Sequence, residues 1–208
     1  MLDAGTVRIV GGLLFLAPFA AAAMYGRSVL APRGATVAAR DPARGTEALW
    51  LGTIGVAQLW TLGVVLMPQA FYAWPLFGDF PGSAGIQMLG LLVWFLAGGL
   101  AVWSFRTLGR FMTVSIRVME GHRLVQEGPY AWIRHPTYTA VVALVVGLAL
   151  VFLSLPLILL ALLLAVLARY RAGLEEDLLR SPQGFGAAYE AYMARTGRFL
   201  PRLRRSGG

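Results

Sequence analysis

The sequence predicts an all-α integral membrane protein with five transmembrane helices, the last two closing into a tight helical hairpin ahead of a cytoplasmic C-terminal helical segment. Of its 208 residues 58% are hydrophobic and only 13% charged, and the mean hydropathy is +0.67, too apolar for a soluble domain of this length. The apolar residues gather into four long runs. The arginines gather into alternate connections between the helices those runs predict.

The first run, about Val7 to Tyr25, follows Asp3 and a single Arg8. It is longer than a signal-peptide core and carries no convincing cleavage pattern, so it reads as a retained first helix. The next runs, about Ala48 to Met67 and Ile86 to Phe105, each match the roughly 20 residues of one span. The last, Tyr138 to Ala168, has 31 positions, which at ~1.5 Å per residue would cover over 40 Å. Ser154-Leu155-Pro156 lies at its middle, where proline interrupts helical hydrogen bonding. Two short antiparallel helices fit that run.

Arginine placement sets the orientation, because cytoplasmic loops accumulate basic residues. The first connection holds Arg27, Arg33, Arg40 and Arg44, the third holds Arg106, Arg110, Arg117, Arg123 and Arg134, and the tail holds eight more from Arg169 onward. The second connection, Pro68 to Gly85, and the turn at Ser154 hold none. Five spans put every arginine-bearing connection on the cytoplasmic face and the N-terminus outside, as in a multi-pass protein of a bacterial inner membrane. A single kinked fourth span would put the basic tail opposite the basic third connection, against the rule. The second connection, rich in aromatics and prolines, reads as an anchor at the lipid headgroups, and the polar loop Ala31 to Thr46 as a mobile linker. Residues 1–105 thus form a scaffold of three helices, and residues 106–208 carry the catalytic region.

Composition also excludes chemistry. There is no cysteine, so disulfides and thiolate nucleophiles are out, and two histidines are too few for a typical zinc centre. The net charge of +8 is spread around the apolar runs rather than along one stripe, which argues against nucleic acid as a partner and for membrane lipids. No G-x-G-x-x-G turn is present, and Gly52-Thr53-Ile54-Gly55, inside an apolar helix, reads as a site of close helix packing.

Two polar segments remain. One runs from His122-Arg123-Leu124-Val125 through Gly128-Pro129-Tyr130 and Arg134-His135-Pro136-Thr137-Tyr138; the other is Arg171-Ala172-Gly173-Leu174-Glu175-Glu176. A hairpin folded at residue 156 returns the second beside the first, with Tyr138 and Arg169 within one helix-packing distance, roughly 8 to 10 Å. Together they offer Arg134 or His135 to a carboxylate and Glu175 or Glu176 to an ammonium. Tyr130, Pro129 and Leu124 supply an apolar bed for a flat ring.

In these motifs, joined by Leu108-Gly109, Phe185-Gly186, Tyr189 to Tyr192 and Arg198-Phe199-Leu200-Pro201, the chain resembles the isoprenylcysteine carboxyl methyltransferase family and related bacterial membrane methyltransferases. The resemblance runs from about Leu108 to Pro201. It implies a five-helix S-adenosylmethionine-dependent enzyme acting on a lipophilic small molecule or lipid, with carboxylate O-methylation as the first expectation. Carried over residue by residue, His122, Leu124 and Val125 meet the adenine side, and Gly128, Pro129 and Tyr130 shape the nucleoside pocket. His135 and Tyr138 hold the methionine portion, and Glu175 or Glu176 binds a hydroxyl or ammonium. Arg134 and Arg171 orient an acidic substrate group, and Glu176 or His135 takes a proton where the nucleophile needs to lose one. Ala140 stands where many relatives have glycine, and Ser181-Pro182-Gln183 lengthens the link to Phe185-Gly186, with Tyr189 and Tyr192 read as tail anchors. Alternative readings are an N- or S-methyltransferase of phospholipids, amines or thiols, an NADPH-dependent sterol or lipid reductase of related fold, and a non-catalytic membrane subunit.

Overall fold

The fold is described from a computed structural model covering residues 2–29, 37–40, 45–73, 76–119, 121 and 123–202. Its helices are α1 (Ala4–Val29), α2 (Thr46–Leu66), the short α3 (Pro68–Phe71), α4 (Ser83–Leu108), α5 (Pro136–Phe152), α6 (Leu155–Arg180) and α7 (Ala187–Arg195). Four of them, α1, α2, α4 and α6, are long and apolar enough to cross a membrane, whereas α5, at 17 residues, is a shorter apolar helix. Their outward faces carry large apolar side chains such as Leu59, 67% exposed, and Phe95, 65% exposed. In water so much apolar surface would drive aggregation; against lipid it is the matching surface.

The long C-terminal apolar run divides at Leu153 and Ser154. Leu153 adopts a left-handed conformation (φ 48°), and its N–H and that of Ser154 donate back to Ala149, the latter at 3.0 Å. Pro156 then sits in the first turn of α6, where a missing N–H leaves no helical bond unmade. The second connection closes over this turn: Leu155 N–H donates to Leu76 O (3.0 Å) and Gly78 N–H to Leu153 O (3.1 Å). Trp74 and Pro75 of that connection lie outside the described residues.

Helices α4 and α5 make the closest packing of the bundle. A Cβ built on Gly90 would stand 2.6 Å from Val151 N, and one on Gly147 2.8 Å from Trp94 Cβ. The glycines expected to pack closely, Gly52 and Gly55, do not: a Cβ on either meets nothing within 4 Å. Sequence spacing marks small residues, but only the facing helix decides which of them are approached. At the same end of the bundle Gln87, fully buried, donates to Val151 O (2.8 Å) and Tyr72 OH (2.9 Å) and accepts from Leu2 N–H (3.0 Å). Every polar atom of its amide is thereby engaged in an apolar interior.

The chain is mostly helical, as expected, with one small addition: β1 (Val37–Arg40) and β2 (Arg117–Met119) pair antiparallel, with Ala39 opposite Val118 and Arg40 opposite Arg117. For the same reason part of the loop between α1 and α2 is a strand rather than an unpaired linker. Residues 31–36 and 41–44 of that loop lie outside the described residues. The ribbon ties the first basic connection to the third, which local sequence had given no reason to join.

The Gly147→Ala variant is expected to lose about 1–3 kcal/mol of stability through overpacking against Trp94, read as a lower melting temperature in detergent. Gly98→Ala, whose Cβ would meet nothing within 4 Å, serves as the matched control. An equal melting temperature for both variants would refute the packing account.

Candidate functional site

The start of α2, the end of α4, the start of α5 and the end of α6 converge on one end of the bundle and enclose a cavity of about 280 Å³, near the lower end of ligand pockets, roughly 300 Å³. The lining is apolar at Trp50, Ile54, Phe105, Leu108 and Val141 and has a polar end at Tyr130, His135, Tyr138, Arg171 and Glu175, the two meeting where Trp50 packs edge-on against Tyr138, centroids 5.2 Å apart. The return of the chain through α5 and α6 is what brings residues 130–138 beside residues 171–176.

Gly128 makes the approach to this cavity possible. Its φ of 57° is left-handed, and a Cβ there would lie 2.7 Å from Thr107 Oγ1, so glycine is required on both conformational and steric grounds. Pro129 continues the short turn Gly128–Ala131, which sends Tyr130 into the cavity wall and Trp132 outward. Trp132 is 56% exposed and meets Trp103 edge-on at 5.7 Å, an arrangement suited to a membrane interface.

Beneath the polar end lies a buried ion cluster. Glu176, 1% exposed, accepts from Arg134 Nε at 2.8 Å and from Arg198 through both carboxylate oxygens, and His135 Nε2 lies 3.2 Å from the same carboxylate. His135 Nδ1 faces Glu175 at 3.5 Å. A carboxylate can only accept, so a ring with both nitrogens against carboxylates carries both protons. Burial acts to lower the pKa of His135, but its contacts with Glu175 and then Glu176 outweigh that and hold it above the ordinary histidine value. The ring also stacks on Tyr138, centroids 5.5 Å apart.

The C-terminal segment completes the cluster. Arg134 N–H donates to Gly197 O (2.9 Å), His135 N–H to Arg198 O (3.1 Å) and Gly197 N–H to Trp132 O (3.0 Å), so residues 132–135 and 197–198 run as a short bonded ladder. Helix α7 adds Tyr192, whose hydroxyl donates to Tyr130 O at 2.7 Å. Burial above all pushes the pKa of Tyr192 up to about 12, so its hydroxyl stays protonated. Burial likewise raises the pKa values of Tyr130 and Tyr189.

Among the residues expected at the site, Leu124, Val125, Tyr130, Arg134, His135, Tyr138, Arg171 and Glu175 all line the cavity. Gly128 and Pro129 are not in its lining, Gly128 packing instead against Thr107 and Trp103, and His122 lies outside the described residues. Glu176 does not line the cavity: it is committed to Arg134, His135 and Arg198. Sequence reasoning missed the contribution of Arg198 to this cluster, the wall residues Trp50 and Phe185, and the lining role of Tyr189 and Tyr192. The spacing of the two tyrosines, three apart on one face of α7, was the available signal. For Trp50 there was none, because it reaches the site by folding of the first half of the chain.

Comparison with known proteins bears on this region. Residues 88–181, a little under half of the chain, match the isoprenylcysteine carboxyl methyltransferase (ICMT) family, which contains the turn at Gly128, the Arg134-His135 segment and both glutamates. A 40-residue stretch is 40% identical to the uncharacterized protein YpbQ of Bacillus subtilis (strain 168), covering 19% of this chain and about a quarter of that relative, 24% of its length. The match and the apolar helices together support a membrane methyltransferase.

Glu176→Gln is expected to cost about 3–5 kcal/mol, because it leaves Arg134 and His135 buried without their shared anion; an unchanged melting temperature would contradict the cluster's role. The pH dependence follows in sign. The raised folded-state value of His135 means its contribution is complete below the ordinary value of about 6.5 and is lost as pH climbs through the folded value. Melting temperature should therefore fall with rising pH in the parent protein, and His135→Asn should flatten that slope.

Proposed function

We propose that this protein is a multi-pass membrane methyltransferase that uses S-adenosylmethionine to methylate a lipophilic acceptor at an already ionised oxygen, a carboxylate first. The observation that carries the reading is the pairing of a zwitterion-matched polar end with an apolar wall in one cavity. The Tyr138 hydroxyl suits a carboxylate, Glu175, positioned by the His135 imidazolium, suits an ammonium, and Leu124, Val125 and Tyr130 form an apolar bed for a flat ring. This donor set fits a nucleoside bearing one amino-acid arm.

When bound, the cofactor supplies an electrophilic methyl group on a sulfonium. The task of the chain is then to hold donor and acceptor at roughly 3–3.5 Å with water excluded. Tyr138 and Glu175 fix the polar arm, with His135 holding both in place; the apolar wall from α2 and α4 takes the lipophilic part of the acceptor and keeps water out. The state of the acidic and basic groups favours an ionised nucleophile. Glu176 is bound by two arginines and an imidazolium, and His135 carries both protons, so neither is poised to accept a proton. A carboxylate, ionised near pH 7, needs no such base.

The reading includes topology. Five crossings, with α5 and α6 as the last two, put the basic connections, the cavity and the C-terminal segment on the cytoplasmic side and the N-terminus outside, in a bacterial inner membrane. Leu51, exposed on the outer face of α2 yet part of the cavity wall, offers a lipid acceptor a sideways route from the bilayer.

Two experiments test this. Detergent-solubilised protein given methyl-labelled S-adenosylmethionine and a lipid extract should yield a labelled, base-labile lipid ester; label in a base-stable amine or thioether would reject the carboxylate. Thermal stability should rise with S-adenosylhomocysteine and not with NADPH, and Glu175→Gln should weaken that ligand by about tenfold, the loss of one charge-assisted hydrogen bond, with His135→Ala weakening it too because the ring positions Glu175 and Tyr138. A shift with NADPH alone would refute the methyltransferase reading.

A further inference from the structure

We propose that Gln58 is a specificity-determining contact for the acceptor lipid, and that this acceptor carries a hydrogen-bonding oxygen, a hydroxyl or carbonyl, part-way along its hydrocarbon chain. The proposal deepens, and rests on, the reading of the cavity as the site of a lipophilic acceptor.

Gln58 lies near the middle of α2, two residues from the central Val56, or about 3 Å along the axis. The other polar side chains of that stretch are satisfied within the helix: Thr53 donates to Leu49 O (2.8 Å) and Thr61 to Ala57 O (3.0 Å). Gln87, in α4, has every polar atom of its amide engaged. Gln58 instead makes no side-chain hydrogen bond among the described residues, and its half-buried amide is not sealed into the interior. An amide in apolar surroundings without a partner is unfavourable, so a ligand oxygen that reaches it gains what the fold leaves unmade.

The face on which Gln58 stands identifies that ligand. Leu51, Ile54, Gln58 and Val65 follow at spacings of three, four and seven residues, so they share one stripe of α2. Leu51 and Ile54 line the cavity, and Val65 packs on α1, its Cγ2 2.8 Å from where a Cβ on Gly11 would stand. Gln58 is therefore between the cavity and the α1 contact, and not on the outward face that carries Val56 and Leu59. A second copy docking on α2 would meet those two residues first.

The helix arrangement leaves a path along the stripe. α1 packs on α2, α2 on α6, α6 on α5 and α5 on α4, whereas α1 and α4 barely touch among the described residues. The bundle is thus an arc open between α1 and α4, with the cavity at one end and Gly11, packed against Val65 and Phe152, closing the other. From Leu51 to Val65 the stripe rises about 21 Å, with Gln58 about half-way. A chain leaving the cavity along α2 meets apolar side chains and then one amide, able both to donate and to accept.

The test uses the full chain in neutral maltoside micelles, with hexadecanoate and hexadecanoates hydroxylated near the head, at mid-chain or at the terminus as probes, and S-adenosylhomocysteine titrated in parallel. The mid-chain hydroxyl should tighten binding about fivefold over plain hexadecanoate, the worth of one neutral hydrogen bond, and the other two positions should not. Gln58→Leu should abolish that preference without changing S-adenosylhomocysteine affinity or lowering the melting temperature, because the amide bonds to no described residue. Equal binding of all four probes, no binding of any, or an undiminished preference in Gln58→Leu would overturn the proposal. So would a parent dimer that Gln58→Leu converts to monomer, which assigns the amide to a second copy. Failure of the parent to bind S-adenosylhomocysteine with the mid-chain preference intact would instead sink the methyltransferase reading alone.

Discussion

The carboxylate of Glu176 is the contact on which the functional end of this protein depends. It joins three segments distant in sequence: Arg134 and His135 ahead of α5, Glu176 near the end of α6, and Arg198 beyond α7. Taking charges out of water is unfavourable unless each finds a partner, and here every member of the cluster has one. The cavity polar groups Tyr138 and Glu175 are fixed through it, one by stacking on His135 and the other by facing its Nδ1. The main-chain ladder between residues 132–135 and 197–198 holds the C-terminal segment to the same support.

The two ends of the bundle solve different problems. At the end holding Leu153 and Ser154, close glycine packing, the saturated amide of Gln87 and the bonded cover from residues 76–78 satisfy the main-chain groups of the turn, with Ser154 Oγ left buried without a partner. The opposite end is built from helix termini and irregular turns, where backbone and charged groups are available and a cavity remains open. Rigidity at one end supports chemistry at the other, because α5 and α6 run through both.

The arginines around the cavity are held in two ways. One kind is bonded directly to a carboxylate, whereas the other is bonded to neutral oxygens and acts through its charge on its neighbours, as Arg171 does on Glu175 and Tyr138. Arg134 is of the first kind and Arg171 of the second, although in sequence both are arginines beside an acidic or aromatic motif. That difference depends on the side chains that each guanidinium reaches.

Composition and arginine placement by themselves determined the helical membrane character and located the polar segments 122–138 and 171–176, since both signals are local and large. They also marked the interruption near Pro156, which is seen at Leu153 and Ser154. Only the tertiary structure decided the pairing of β1 with β2, the close approach at Gly90 and Gly147 instead of Gly52 and Gly55, the withdrawal of Glu176 behind the cavity and the arrival of Trp50 and Arg198. Each of these is a contact between residues far apart in the chain, and its energy depends on what the partner presents. A single stretch of sequence specifies its own polarity and backbone preference, but not the group it will meet.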